Sequence, residues 1–326
     1  MDNIPNNSSP SDEQILSKGK LRILVLMGLL TIVGYLIFSL VAGWDQVTSS
    51  LEQVGITGAL VPMVLAFIGY LFRFARWTHF LHILGHKIPL WTSFRIYIGG
   101  FSLSITPGKT GEAVRSVFLK KFGVPYRESF GAFLAERFSD VMAVMLLAAG
   151  GLLCCPQTRP ILFIVLTFVL TILFLIQSDR FLKGAERWFK KTLPHRFEEH
   201  ITFILETVLS FRKCFSILTL LFGILLGAIA WGLEGFACYY LLRDLHANIS
   251  LFHTIFVYAF ALLVGAMTFL PAGIGGAELT LLQLLIFYDV PASTAVAVTI
   301  VIRLTTLWFS VLLGMLFLPR KMLQKM

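Results

Sequence analysis

A chain of 326 residues that is 57% hydrophobic and only 14% charged stands far from a soluble domain, in which about 25% of residues are charged. A net charge of +9 raises the question of nucleic acid, but the cations flank apolar stretches, which is the pattern of membrane topology. Composition therefore argues against a water-soluble enzyme and against a nucleic-acid partner, and for an all-α integral membrane protein.

Residues 1–20 are polar and rich in Asn, Ser and Pro, the composition of a disordered tail. The first apolar run, Leu21–Val41, is too long for a signal-peptide core and lacks a small-x-small cleavage site, so it is read as a retained anchor. Six further apolar segments follow: Ile56–Trp77, Phe130–Leu153, Ile161–Gln177, Phe215–Leu242, Leu251–Leu270 and Ala292–Leu318. Each is long enough to enter a hydrocarbon core of about 30 Å, which takes roughly 20 helical residues. Two shorter stretches, Trp91–Thr106 and Gly111–Phe122, meet at Pro107-Gly108 and read as the arms of a hairpin. Ala277–Tyr288 stands in the same relation to Leu251–Leu270, across Pro271, Gly273, Gly275 and Gly276. The expected fold is thus six full spans plus two Pro/Gly-broken hairpins, re-entrant or spanning, within a membrane domain over 21–318, and a basic tail over 319–326.

Placing the N-terminus in the cytoplasm puts every one of the 27 cations there except Arg159, Arg243, Arg137 and Arg303. That orientation, N-in and C-in across the inner membrane, follows the positive-inside rule, and it survives either reading of the hairpins because each adds an even number of crossings. The loop over 178–213 mixes eight of these cations with Phe181, Leu182, Trp188, Phe189 and Phe197, as an amphipathic helix on anionic headgroups would. The bland alternative is a solvated connector. Cys154, Cys155, Cys214 and Cys238 have neither metal-ligand spacing nor the pattern of a disulfide framework.

A repeat runs through the chain at an offset of 166 residues: Glu112 falls on Glu278, Leu119 on Leu285, Val124-Pro125 on Val290-Pro291, and Arg137 on Arg303. Further upstream, with a small change of offset, Ile88-Pro89-Leu90-Trp91 resembles Ile249-Ser250-Leu251-Phe252, and Arg73 falls opposite Glu234. Three crossings separate the two hairpins, so the halves, about 56–153 and 215–318, are expected to be inverted. Inverted halves with interrupted helices are the architecture of transporters that bind near the bilayer midplane. A duplication retained only for packing would leave the same trace.

Charges in a span are costly, about 2.5–3.5 kcal/mol each at a helix centre. Glu136, Arg137 and Asp140 share one span and Arg303 occupies the matching place in the last, with Glu112 or Glu278 as a partner. A buried network that fixes helix packing is the competing reading. Thr106 to Glu112 would open a half-helix whose free N–H groups can hold an anion. Lys109 and Arg115 favour a phosphate there, whereas Glu112 favours a cation or a proton, or simply stabilises a first turn. Gly108-Lys109-Thr110 mimics the end of a phosphate-binding loop, but the position five earlier is Leu103 and no strand precedes it, so a nucleotide site is rejected. His79, His82 and His86 are spaced on one helix face and read as interfacial rather than metal-binding.

The runs P-G-K-T-G-E-A-V-R, G-V-P-Y-R-E-S, A-E-R-F-S-D, L-P-A-G-I-G-G-A-E and I-V-I-R-L resemble the lysylphosphatidylglycerol synthase transmembrane, or flippase-like, domain over roughly Gly55 to Leu318. That resemblance implies movement of lipids between leaflets. It places Glu112, Arg115, Glu136, Arg137, Asp140, Glu278 and Arg303 at a central cavity. The chain stops eight residues after Leu318, so the soluble aminoacyl-transferase domain is not expected, nor is lipid aminoacylation. The reading is a non-enzymatic lipid translocase without a cofactor, its partners membrane lipids with anionic headgroups and its movement gradient-driven or ion-coupled, with a carboxylate as the candidate proton carrier. A homo-oligomer is compatible with it. The alternatives are a membrane-embedded transferase acting on a lipid-linked substrate, against which stands the lack of an acidic donor cluster in any loop, and an accessory subunit of lipid synthesis.

Overall fold

The computed structural model describes residues 33, 40, 44–106, 110–150, 156–192, 198–268, 270 and 272–317. The expected first span apart from Val33 and Leu40, both tails and the hairpin residues Pro107, Gly108, Lys109 and Pro271 lie outside these. Among the described residues every regular element is helical, and four helices are long and apolar enough to cross a membrane.

The first of these, α1, runs over Trp44–Ile83 and is broken at Gly55, whose φ of 57° leaves the helical region. From Ile56 to Ile83 it would extend about 42 Å, so it outruns the expected Ile56–Trp77 at its C-terminal end. There follow α2 (Leu90–Gly100) with a 3₁₀ turn over Phe101–Leu103, a second 3₁₀ turn over Thr110–Val114, and α3 (Arg115–Lys120). These are the arms of the first expected hairpin. At 11 residues, α2 covers only about 16 Å, too little to cross alone. Gly123, at φ 79°, turns the chain into Val124-Pro125, and the extended proline at the N-cap starts α4 (Tyr126–Ala148). That helix carries Glu136, Arg137 and Asp140, and it is not among the four apolar spans.

The second apolar helix, α5 (Arg159–Gln177), is continued after one residue by α6 (Asp179–Thr192), and α7 (Glu198–Lys213) leads back. Ser216 then caps α8 (Ile217–Asp244) by accepting from the Thr219 amide. One face of α8, including Ile217, Leu218, Leu221 and Leu225, is bare, as a lipid-facing stripe would be. The second hairpin comprises α9 (Leu251–Met267), capped by Ser250, and α10 (Gly276–Phe287). The last span is α11 (Ala292–Arg303), a π turn over Leu304–Trp308, and α12 (Phe309–Phe317).

Two packing contacts place the rest. Helices α1 and α8 cross so closely that a Cβ on Gly69 would lie 3.2 Å from the Ala230 carbonyl oxygen, and glycine there lets the backbones meet. Helix α7 lies on α4 where Gly131 faces Ser210 and Phe211, and a stack of Phe138, Phe211 and Phe215 seals the contact. The 178–213 segment is therefore two structures. Its second half packs into the helical body, with Ile201 and Phe211 buried, while α6 exposes Phe181 and Trp188.

Arg73, Arg76 and Arg115, expected among the cytosolic cations, are all three buried among the helices. They say nothing about orientation.

Candidate functional site

Among the described residues, ten charged side chains meet in the interior. Helix α1 sends in Arg73 and Arg76, one turn apart, and α8 sends in Glu234, with Trp231 one turn before it. The first hairpin supplies Glu112 and Arg115, α4 supplies Glu136, Arg137 and Asp140, and Glu278 and Arg303 come from α10 and α11. Five guanidinium groups thus face five carboxylates. Paired charges are what a low-dielectric interior tolerates, since a lone ion there costs far more than an ion with its partner.

The network around α4 is the densest part. Asp140 accepts from Arg76 at 2.6 Å and from the Trp231 indole at 3.1 Å. Glu136 accepts from the Tyr97 hydroxyl at 2.6 Å and pairs with Arg115 at 3.0 Å. Arg115 lies over the rings of Trp77 and Tyr97, 4.5 and 4.8 Å from their centroids, and also holds Glu112 at 3.1 Å. Gly100 makes room for that side chain, because a Cβ there would stand 2.7 Å from Arg115 Cγ. Arg137 touches three carboxylates, Glu136 and Asp140 at 3.2 Å and Glu112 at 3.5 Å. Its side chain is 20% exposed, whereas those of Arg76 and Arg115 are 0% and 1%.

Arg303 takes Glu278 as its acid, at 2.7 Å through Nε, and donates to the Ala272 carbonyl at 3.0 Å. Ala272, Gly273 and Gly275 all have positive φ, the conformation that favours glycine. Arg303 therefore ties down the strained break of the second hairpin. The other Glu278 oxygen accepts from the Gly275 amide at 2.7 Å, closing the start of α10. Gly276 opens that helix against Thr268, from which a Cβ would be only 2.6 Å away. In the first hairpin the Gly111 amide donates to Thr106 Oγ1 at 2.6 Å, and Ser104 donates to Glu112 at 3.1 Å. The expected half-helix terminus thus has its Gly111 amide capped by the Thr106 hydroxyl. It leads into a 3₁₀ turn and the six-residue α3, too short to offer a dipole-backed anion site.

A cavity of about 300 Å³ opens beside this network. Arg73, Glu112, Arg137, Asp140, Glu234 and Arg303 line it, with Tyr70, Trp231 and Tyr258 and the apolar Val141, Val144, Leu262, Leu263 and Leu270. Of the residues expected at the site, Glu112, Arg137, Asp140, Arg303 and Gly273 reach the cavity wall, whereas Arg115, Glu136 and Glu278 stand behind it as partners. Sequence reasoning does not single out Arg73, Arg76 and Glu234 as site residues. Arg73 and Glu234 pair at 2.5 Å, the Tyr258 hydroxyl donates to Glu234 at 2.7 Å, and the Arg73 guanidinium sits 3.8 Å from the Trp231 ring centroid. The one available signal is the opposition of Arg73 and Glu234 in the repeat.

The fold and the buried network define a multi-pass helical membrane protein with a charged interior cavity. The chain belongs to the family of the lysylphosphatidylglycerol synthase TM region, whose model matches residues 24–314. It is 26% identical to a UPF0104 membrane protein of Pyrococcus horikoshii over 88% of this chain and 94% of the relative. A UPF0104 membrane protein of Methanothermobacter thermautotrophicus is 24% identical over 93% and 96%. A shorter one from Methanocaldococcus jannaschii is 30% identical over 66% and 91%.

Proposed function

We propose that the chain is a lipid translocase that passes the headgroup of a phospholipid or related lipid through the cavity between its hairpins while the acyl chains stay in the bilayer. The observation that carries this reading is that positions related by the sequence repeat meet around the cavity. Arg73 and Glu234, opposite each other in the repeat, bond directly, and Gly69 and Ala230, at the same offset, touch. Residues that contact their own counterparts lie on a pseudo-two-fold axis. Away from it, each half repeats one ion pair across 25 residues, Glu112 with Arg137 and Glu278 with Arg303. This is what an inverted-repeat transporter with a midplane site requires.

The chemistry fits a headgroup as cargo. Arg137 is the guanidinium with the greatest access in the α4 network, and its three carboxylates can pass it to a phosphate while each keeps a second cation. The apolar wall of Val141, Val144, Leu262 and Leu263 can shelter the glycerol end of a lipid. The test is the full-length protein in liposomes carrying fluorescent lipid in both leaflets, with an impermeant reductant outside. Protein-dependent bleaching beyond the outer-leaflet fraction, lost in Arg137→Ala, supports translocation. Absence of exchange for zwitterionic and anionic lipids alike, with product formed from a lipid-linked donor, would turn the reading to a transferase.

A further inference from the structure

The amphipathic helix α6 lies outside the cavity and serves no part in the translocation reading. Its start is fixed by the two apolar spans on either side of it. Helix α5 ends at Gln177, whose amide donates to the Phe215 carbonyl at 3.4 Å, immediately before α8 begins. Arg212, at the end of α7, donates to Asp179 at 2.5 Å. The ends of α5 and α8 and the first residue of α6 therefore lie at one level, the level at which two apolar helices leave the bilayer.

From that point α6 runs for 14 residues, about 21 Å. At 100° per residue, Phe181, Leu182 and Trp188 fall within an arc of about 120°. Asp179, Lys183 and Arg187, spaced by four, mark the opposite side and Arg180 its flank. Phe181 is 46% and Trp188 60% exposed, large aromatic surfaces for a helix beside water. By sequence, 179–192 holds five cations against two acids.

We infer that α6 lies flat on the bilayer, with Phe181, Leu182 and Trp188 among the upper acyl chains and Arg180, Lys183 and Arg187 on anionic headgroups. Tryptophan at the headgroup level and cations above an anionic leaflet are the two physical contributions that hold such a helix.

The test uses full-length protein with its four native cysteines replaced and one environment-sensitive fluorophore, at Phe181→Cys or, on the other side of the helix, at Lys183→Cys. Each is reconstituted in phosphatidylcholine vesicles with or without phosphatidylglycerol and quenched with lipids spin-labelled near the headgroup. In vesicles with phosphatidylglycerol the probe at 181 is expected to be quenched several-fold more than the one at 183. The changes Arg180→Gln, Lys183→Gln and Arg187→Gln together should return it to the value in phosphatidylcholine. Equal, water-like emission at both positions in both compositions would overturn the inference. So would quenching at 181 that ignores phosphatidylglycerol, or a shielded probe that lipid does not quench but that cross-links to a second copy of the chain. Gel filtration of each variant checks that it is folded.

Discussion

Arg73 and Arg137 sit on the same cavity and differ in what their loss would leave behind. Glu234 has Arg73 as its ion-pair partner and the Tyr258 hydroxyl as its other contact. Arg73→Ala strands a buried carboxylate and should cost about 3–5 kcal/mol, read as a fall in thermal unfolding temperature in detergent. Arg73→Ala with Glu234→Gln should regain most of it. Loss of Arg137 is different, because Glu112 keeps Arg115, Glu136 keeps Arg115 and Asp140 keeps Arg76. Arg137→Ala should cost nearer ~1.5–3 kcal/mol while abolishing lipid exchange per folded molecule. Adding Glu136→Gln should not bring exchange back. Recovery of both folding and exchange in that double variant would mark Arg137 as a packing residue.

The same contrast explains which site residues were legible. Glu136, Arg137, Asp140 and Arg303 stand out because each interrupts an apolar run where charge is costly. Arg73 and Arg76 sit near the end of such a run, where cations ordinarily snorkel to the interface. Only the extension of α1 to Ile83 shows them to be inside. Glu234 is the one acid inside α8, whose other acid, Asp244, is its last residue, and the partner that accounts for Glu234 lies 161 residues away.

At the scale of elements, the hairpin arms were readable from Pro, Gly and apolar length, since those residues act locally, whereas α4 starts at Tyr126, directly after Pro125 and four residues before the expected Phe130. The π turn over Leu304–Trp308 was not readable, because it depends on how the wide turn packs. Thr305 and Thr306 donate to Val301 and Ile302 carbonyls inside the helix, and the Thr306 carbonyl accepts from Tyr70 at 2.6 Å. The division of 178–213 into an exposed α6 and a packed α7 was hidden for the same reason. Gly131 is the residue that permits the α7 contact. A Cβ there would lie 2.6 Å from Ser210 Cβ and 3.0 Å from the Thr207 carbonyl, so Gly131→Val should force α7 outward at a cost of about 1–3 kcal/mol. Faster hydrogen exchange confined to α7 would report it.

The junction of α6 and α7 also responds to acid. The Arg212 guanidinium bonded to Asp179 holds that carboxyl below its usual range. A depressed folded value means that the contact stabilises above the unfolded value, about 3.9, and is lost as pH falls through the folded one. Exchange at the start of α6, taken relative to the intrinsic amide rate at each pH, should therefore stay flat from neutral pH to about pH 4 and rise only below it. A rise between pH 7 and 5 would show that another group controls the junction. Burial pushes the nearby Cys214 thiol up to about 12, so the thiolate that reacts with maleimides is scarce at neutral pH, and Cys214 should resist labelling in the folded protein.

For the whole molecule, the proposed inverted arrangement makes a prediction about sides that does not depend on the three buried arginines. The remaining cations near the base of the first hairpin, Lys87 and Lys121, and those of α6 should share one face, the cytosolic one under the positive-inside rule. Asn248 and Asp289, exposed at the base of the second hairpin, should share the other. With the native cysteines replaced, a membrane-impermeant maleimide added outside intact cells should label Asn248→Cys and Asp289→Cys. Lys87→Cys, Lys121→Cys and Lys183→Cys should react only after the membrane is opened. The arrangement rests on three crossings lying between the hairpins, α4, α5 and α8, so the test also counts them. If all five positions react from one side, the hairpins open together and the pairing of Arg73 with Glu234 is a packing contact without a two-fold behind it. If the two groups separate but with their sides exchanged, the repeat stands and the charge argument for N-in fails, since 20 cations would then face away from the side the rule assigns to them.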